Sequence, residues 1–211
     1  MDVIKGWCLI APSGAFSSFD SPSTECRLLN LVMAKLASFN IASLVPEMPL
    51  RSSHEPASVV QIDERTRRLR TVHDEYLQTA NVPTLWVGFS LGAHCLLGLA
   101  SEPQYPPPVS LLLIGCVLER PVHLMCHARR VIFLYSERDH ITYRGDDDTV
   151  GEVLRPEEYG PWSASHLILR RSQECHVETW TDCGHLLIRT DSPAYDAVAN
   201  ALAIRVEELL S

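Results

Sequence analysis

A serine between two glycines is the residue of this sequence best placed for chemistry. Ser90 lies in the run WVGFSLG, residues 86–92, between an apolar stretch typical of a strand and one typical of a helix. At a sharp strand-to-helix turn, a serine has a strained backbone and an exposed hydroxyl, and small flanking residues let the strand and the helix approach closely. The five-residue pattern alone is weak, but in this setting it predicts a nucleophile.

Two further polar side chains follow later apolar runs. A serine nucleophile needs a base, and the base needs a carboxylate to orient it. The apolar run 131–135 leads into the acidic turn SERD, which ends at Asp139, and the last strand candidate leads to Gly184 and His185. The candidate acid and base therefore each follow a predicted strand, as Ser90 does.

The three motifs, in this chain order, resemble those of a small α/β-hydrolase of the cap-less kind, near the dienelactone hydrolase and carboxylesterase or thioesterase branches. The family's G-x-x-D acid turn is here residues 136–139, with Ser136 where glycine is usual, and its G-H loop is residues 184–185. The resemblance spans residues 7 to 210. It implies that Ser90 is the nucleophile, His185 the general base and then acid, and Asp139 the orienting acid.

The resemblance also implies an oxyanion hole made of backbone N–H groups. One donor would be Leu91, which follows the nucleophile. The second would come from the turn after the first core strand, here residues 12–15, with Ala15 as the candidate and Gly14 as the fallback. Ser13 stands where the family usually has histidine.

Other acidic residues could orient the base instead of Asp139, or could bind a metal ion. Asp182 lies on the same loop as His185, and Glu119 follows the strand that ends at Gly115, where some family members carry the acid. Residues 146–148 are three aspartates that, with His140, could hold a divalent cation, but acidic runs more often begin helices. We therefore expect no metal and no cofactor.

The elements that position these residues alternate between strands and helices, which predicts right-handed crossovers and a parallel sheet. The fold class is α/β, with a mostly parallel sheet of about six strands and helices on both faces. Residues 1–211 form one domain, and the irregular excursion 140–174 is a candidate lid, in which Tyr159 and Trp162 either wall an acyl pocket or anchor the excursion. Strands are predicted over 7–11, 41–45, 84–87, 109–115, 131–135 and 176–180, and helices over 24–39, 57–79, 91–100 and from 193.

Composition excludes several classes of function. With 18 Lys and Arg against 26 Asp and Glu, the 211-residue chain has a net charge of −8, which disfavours nucleic-acid binding. No apolar run is long enough for a membrane span, and the N-terminus lacks the features of a signal peptide. Seven scattered cysteines without CxxC spacing are typical of reduced, buried thiols and predict a cytoplasmic protein.

These expectations combine into a serine hydrolase that cleaves a carboxylic ester or thioester, on a small-molecule or carrier-bound acyl substrate. Two alternatives stay open at this point. One is an acyltransferase or cyclase that uses the same three residues, in which an amine or alcohol outcompetes water. The other is a catalytically silent, hydrolase-like interaction protein.

Overall fold

Ten strands and five α-helices make up the described part of the chain. The computed structural model describes residues 3–16, 18–20, 23–49, 61–103, 110–126, 128–144, 150–181, 183–187 and 195–211. The strands are β1 Gly6–Ala11, β2 Ile41–Leu44, β3 Thr84–Phe89, β4 Ser110–Ile114, β5 Val122–His123, β6 Arg130–Ser136, β7 Ile141–Arg144, β8 Val150–Leu154, β9 Leu167–Ile168 and β10 Glu174–Trp180. The helices are α1 Thr24–Ser38, α2 Ile62–Val72, α3 Leu91–Ala100, α4 Pro156–Ser165 and α5 Tyr195–Leu210.

Six strands form one parallel sheet in the order β10-β6-β4-β3-β1-β2. Successive residues of β4 are all buried, and so are those of β3 and β6 after their first residue. Both faces of the sheet are therefore covered, which explains why these strands are continuous apolar runs rather than alternating ones. The predicted α/β class and the six parallel strands are confirmed.

The helices pack in pairs, α1 against α5 and α2 against α3. Ser23 caps α1, because its side-chain oxygen accepts the N–H of Cys26 at 3.0 Å. The helix predicted over 57–79 is α2 and a π-helical turn, His73–Leu77, that continues it. The first residues of that prediction lie outside the described ranges.

The excursion 140–174 contains an antiparallel hairpin of β7 and β8, followed by α4 and the short β9. Helix α4 packs against β10 and β6. The strand β9 pairs with β5, on the segment between β4 and β6. A lid function for the excursion stays a prediction, as does the single domain over 1–211.

The carboxyl ends of the parallel strands meet at one edge of the sheet. The loops that leave β1, β3, β4, β6 and β10 at this edge carry all of the site residues predicted from the sequence. In open parallel sheets, such loops are where ligands bind.

Candidate active site

Ser90 occupies a strained turn between β3 and α3. Its backbone has φ 49° and ψ −114°, a conformation that residues other than glycine rarely adopt. The backbone N–H of Ser90 donates to Ile114 O at 2.8 Å, which ties the turn to the neighbouring strand β4. Such strain costs on the order of 1–3 kcal/mol and is found mainly at functional sites.

Both glycines of the motif are required by close packing. A Cβ atom at Gly88 would lie 2.4 Å from Ala93 Cα, and one at Gly92 would lie 2.2 Å from Ala11 O. Both neighbours are backbone atoms, so they cannot move aside as a flexible side chain can. Glycine at these positions lets α3 start directly against the end of β1, with the half-buried Ser90 at the turn.

Asp139 and His185 form a hydrogen-bonded pair. His185 Nδ1 lies 2.9 Å from Asp139 Oδ1, so the carboxylate accepts the Nδ1 proton. The Asp139 side chain is 4% exposed and that of His185 is 47% exposed. The hydrogen bond to Asp139 is the main reason that the pKa of His185 is raised above its ordinary value, with burial opposing it and the charge of Glu25 adding to it.

Gly115, which follows β4, lies directly beneath this pair. With φ +59°, its backbone is in the left-handed region, and a Cβ atom there would lie 3.1 Å from His185 Cε1 and 3.4 Å from Asp139 Oδ2. Glycine therefore lets the imidazole lie over the end of β4. Because Ser90 N–H binds the carbonyl of Ile114, one residue earlier, all three predicted residues gather around the carboxyl end of β4.

Of the predicted oxyanion residues, Leu91 follows Ser90 directly and Gly14 contacts Leu91. Leu91 is the first residue of α3, where N–H groups have no partner within the helix. Gly14 packs against Leu91, since a Cβ atom at Gly14 would lie 3.2 Å from Leu91 Cδ2. The N–H of Ala15 donates instead to Ser13 Oγ, at 3.2 Å.

Two buried charged residues beside this loop were not found from the sequence. Glu25 of α1 and Arg65 of α2 are 4% and 0% exposed, and both bond to the loop that begins at Ser13. One signal was available for Arg65, because it lies three residues after Ile62 and four before Leu69, on the apolar stripe of its helix. No comparable pattern marks Glu25.

The rival residues fall elsewhere. Glu119 is exposed after β4, whereas the carboxylate that contacts His185 is that of Asp139. Asp182 and residues 146–148 lie outside the described ranges, and His140 is exposed. Among the residues that the structure describes, no three histidine, cysteine or carboxylate side chains gather as a metal site.

The aromatic residues of the excursion play different parts. Tyr159 is fully buried, and its hydroxyl donates to the backbone oxygen of Asp139 at 3.3 Å. Its ring also packs edge-on against Tyr135, with centroids 4.7 Å apart. Of the two predicted roles, anchoring therefore fits Tyr159, which packs against the turn that carries Asp139. Trp162 is partly buried and packs edge-on against His166.

His94 and the cysteines stand apart from this group. His94, one turn after Ser90, lines a groove of about 500 Å³ with Leu97, Leu118 and Met125, and burial lowers its pKa.

All seven cysteines are free, and six of them are buried. Burial raises the pKa of Cys8 and Cys116, so these thiols stay protonated and are poor nucleophiles.

The sequence matches no protein-family model and no curated protein. Similar solved structures include a dienelactone hydrolase from Anabaena variabilis, at 18% identity and a TM-score of 0.62 over 97% of this chain and 85% of that one. A lidless α/β serine hydrolase from Xanthomonas campestris has 15% identity and a TM-score of 0.60, over 99% and 84%. Est1E of Butyrivibrio proteoclasticus, solved with ferulic acid, has 12% identity and a TM-score of 0.61, over 99% and 93%.

These similarities show that the chain has the α/β-hydrolase fold. They cover nearly the whole chain in each case. Of the helices in the described ranges, none combines the length and the apolar character that crossing a bilayer requires.

Proposed function

From an α/β-hydrolase fold with a strained serine and an aspartate–histidine pair at the same edge of the sheet, we propose that the protein is a serine hydrolase that cleaves carboxylic esters or thioesters. The observation that supports this proposal most is that Ser90, at φ 49°, bonds to Ile114 at the end of β4, where Gly115 packs against the hydrogen-bonded Asp139 and His185. A serine hydroxyl is a weak nucleophile by itself and is activated by an adjacent base that a third group orients.

In the acylation step, Ser90 Oγ attacks the carbonyl carbon while His185 Nε2 accepts the hydroxyl proton. Asp139 holds the Nδ1–H tautomer and stabilises the imidazolium that forms. The bond to the leaving alcohol or thiol then breaks, with His185 returning the proton to the leaving group. The product of this step is an ester of the substrate's acyl group with Ser90.

In the deacylation step, His185 takes a proton from water, and the resulting hydroxide attacks the acyl carbon. The second tetrahedral intermediate collapses, the proton returns to Ser90, and the acid leaves. The side chain of His185 is 47% exposed, which leaves room for water beside it.

In both steps the oxyanion accepts hydrogen bonds from backbone N–H groups. We assign these donors to Leu91 and to Gly14, ahead of Ala15. Gly14 packs against Leu91, while the N–H of Ala15 is already bonded to Ser13 Oγ. Removal of one such donor typically lowers kcat by about 10²–10³-fold.

The class of substrate draws support from the similar structures. One is described as a dienelactone hydrolase, one as a serine hydrolase and one was solved with ferulic acid, a carboxylic acid. The same acylation chemistry applies to thioesters, whose thiol leaves more readily. The seven free cysteines support a reducing compartment, the cytoplasm, as the place of action.

The test is a panel of acyl esters and acyl thioesters of graded chain length, offered to the wild type and to Ser90→Ala. We expect hydrolysis by the wild type and a loss of about 10³-fold or more in the variant. Ser101→Ala, at the other end of α3, is the matched control and should keep wild-type activity. A Ser90→Ala variant that retains activity would refute the proposal, and so would a wild type inactive on the whole panel.

A further inference from the structure

Two charged side chains of opposite sign are buried against the loop of residues 13–16. Arg65 is 0% exposed and Glu25 is 4% exposed. A buried charge is costly unless hydrogen bonds compensate it. Here the partners of both side chains belong to the loop that carries Gly14.

Arg65 binds the carbonyl groups of the loop. Its Nη1 donates to Ser13 O at 3.0 Å, and its Nη2 donates to Gly14 O at 3.0 Å and to Phe16 O at 3.3 Å. In a trans peptide, the N–H of the next residue points opposite to the carbonyl, and the described peptide bonds are all trans. Because Ser13 O faces Arg65, the N–H of Gly14 faces away from it.

Glu25 binds the donors of the same loop. Its Oε1 accepts the Ser13 N–H at 2.8 Å, and its Oε2 accepts the Ser13 hydroxyl at 2.5 Å. Ser13 Oγ in turn accepts the N–H of Ala15 at 3.2 Å. The N–H groups of residues 13 and 15 are thus occupied, whereas that of Gly14 has no hydrogen-bond partner within the described part of the chain.

We propose that Arg65 and Glu25 are positioning residues that together aim the Gly14 N–H at the oxyanion. This inference rests on the proposed function. Arg65 sets the direction of the peptide between residues 13 and 14 through its carbonyl oxygen, and Glu25 fixes Ser13 at the start of the turn. Ser13 joins the two, because its hydroxyl donates to Glu25 and its carbonyl oxygen accepts from Arg65.

Glu25 has a second effect through its charge. The carboxylates of Asp139 and Glu25 are the two acidic groups that raise the pKa of His185, the first through its hydrogen bond and the second through its charge. Burial raises the pKa of Glu25, while its bonds to Ser13 and the charge of Arg65 oppose that shift. Neutralising Glu25 should therefore lower the pKa of His185 as well as loosen the loop.

Arg65→Lys tests the inference most directly. Lysine keeps the positive charge but has a single nitrogen, which cannot span carbonyls that the guanidinium binds with two. We expect kcat for an ester that the wild type hydrolyses to fall at least tenfold, up to the roughly 10²–10³-fold of a lost oxyanion donor, with KM within about threefold of wild type because the ground-state carbonyl is bound weakly. Arg68→Lys is the matched control on the same helix: Arg68 binds Glu64 and a backbone oxygen, and the variant should keep wild-type kinetics.

Two milder variants keep the test decisive if Arg65→Lys does not fold. Ser13→Ala removes the hydroxyl that links Glu25 to Ala15, and we expect kcat to fall about three- to tenfold. Glu25→Gln keeps the size of the side chain and removes its charge. It should lower kcat. It should also lower the pKa of His185, so the loss of kcat/KM on the acid side of the pH profile (the acid limb) should move to lower pH. A purely structural role would not produce this shift.

The inference and the proposed function fail in different ways. A wild type that hydrolyses no ester or thioester overturns both. An active wild type whose folded Arg65→Lys and Ser13→Ala variants have kcat within twofold of its own overturns the inference alone. If Arg65→Lys is unfolded, Ser13→Ala and Glu25→Gln with unchanged kcat and an unchanged acid limb overturn it in the same way.

Discussion

The nucleophile and its base are held in contrasting ways. Ser90 follows β3, a central strand with five of its six residues buried, and the loop beside it is bound by the buried Arg65 and Glu25. His185 follows β10, one of the two edge strands of the sheet, in which none of the seven residues is buried. Its own side chain is 47% exposed.

This difference separates two requirements of one reaction. The oxyanion donors must be fixed before charge develops, so their surroundings are backbone and buried side chains. The base must exchange protons with the substrate and with water, so it lies where solvent reaches it. Changes on the nucleophile side should therefore cost stability and activity together, whereas changes at His185 should cost activity alone.

Replacing the base should have the largest effect. For His185→Ala we expect kcat/KM to fall by about 10³-fold or more, while the free energy of unfolding falls by no more than about 1 kcal/mol, since half of the side chain is already exposed and water that takes its place can hydrogen-bond to Asp139. Steady-state kinetics and urea unfolding measure the two quantities. His140→Ala, an exposed histidine next to Asp139, is the control and should change neither. A His185→Ala variant destabilised by several kcal/mol would break the contrast between the two sides.

Adding a side chain at Gly92, next to the nucleophile, should lower both stability and activity. In Gly92→Ala the new Cβ would lie 2.2 Å from Ala11 O and 2.4 Å from Pro12 O, so β1 and α3 must separate. We expect about 1–3 kcal/mol of destabilisation from this overpacking, with reduced activity because the displaced residues lead into the oxyanion loop. Denaturant unfolding and kinetics on one preparation test it. A fully active, fully stable variant would show that the close approach is unnecessary.

The pH profile should reveal the pairing of the base. His185 must be neutral to accept a proton, and its hydrogen bond to Asp139 raises its pKa. Activity is therefore lost as the pH falls through that raised value, and the midpoint of the acid limb of kcat/KM should lie above the ordinary histidine pKa of about 6.5. Asp139→Asn should lower the rate and move the limb to lower pH. A wild-type limb at or below pH 6.5 would contradict the pairing.

Replacing Gly98, in the same helix α3 as Gly92, should have the smallest effect. Gly98 lies inside α3, and a Cβ atom there would meet Thr66 at an ordinary distance, 3.7 Å from its hydroxyl oxygen. Gly98→Ala should stabilise the protein by up to about 1 kcal/mol, through the better helix propensity of alanine, and leave kcat unchanged. Thermal or denaturant unfolding measures it. A loss of stability in Gly98→Ala as large as that in Gly92→Ala would contradict the assignment of the Gly92 effect to its close approach to β1.

The sequence predicted the parts of the molecule that follow from periodicity and chain order. Apolar runs placed the six strands, and the resemblance implied that Ser90, Asp139 and His185 act together. Asp139 and His185 are hydrogen-bonded, at 2.9 Å, although 46 residues separate them. The conformation expected for Ser90 is also present, at φ 49°.

The parts that were missed depend on backbone atoms. Arg65 bonds to the carbonyl oxygens of Ser13, Gly14 and Phe16. Every residue has a backbone carbonyl, so residue types alone do not predict such bonds. The choice between Gly14 and Ala15 as donor likewise turns on the path of one loop. Leu186 and Leu187, at φ 59° and 63°, have left-handed backbone conformations. Leucine rarely adopts this conformation, so the sequence does not predict it.

One measurement tests the central claim most directly: mass spectrometry of the intact protein after treatment with a fluorophosphonate, followed by peptide mapping. Such a reagent bonds covalently to a serine that a neighbouring base activates. The account predicts a single adduct on Ser90, absent from Ser90→Ala and formed far more slowly in His185→Ala. An adduct on another residue, labelling that survives Ser90→Ala, or no labelling of the wild type would contradict it.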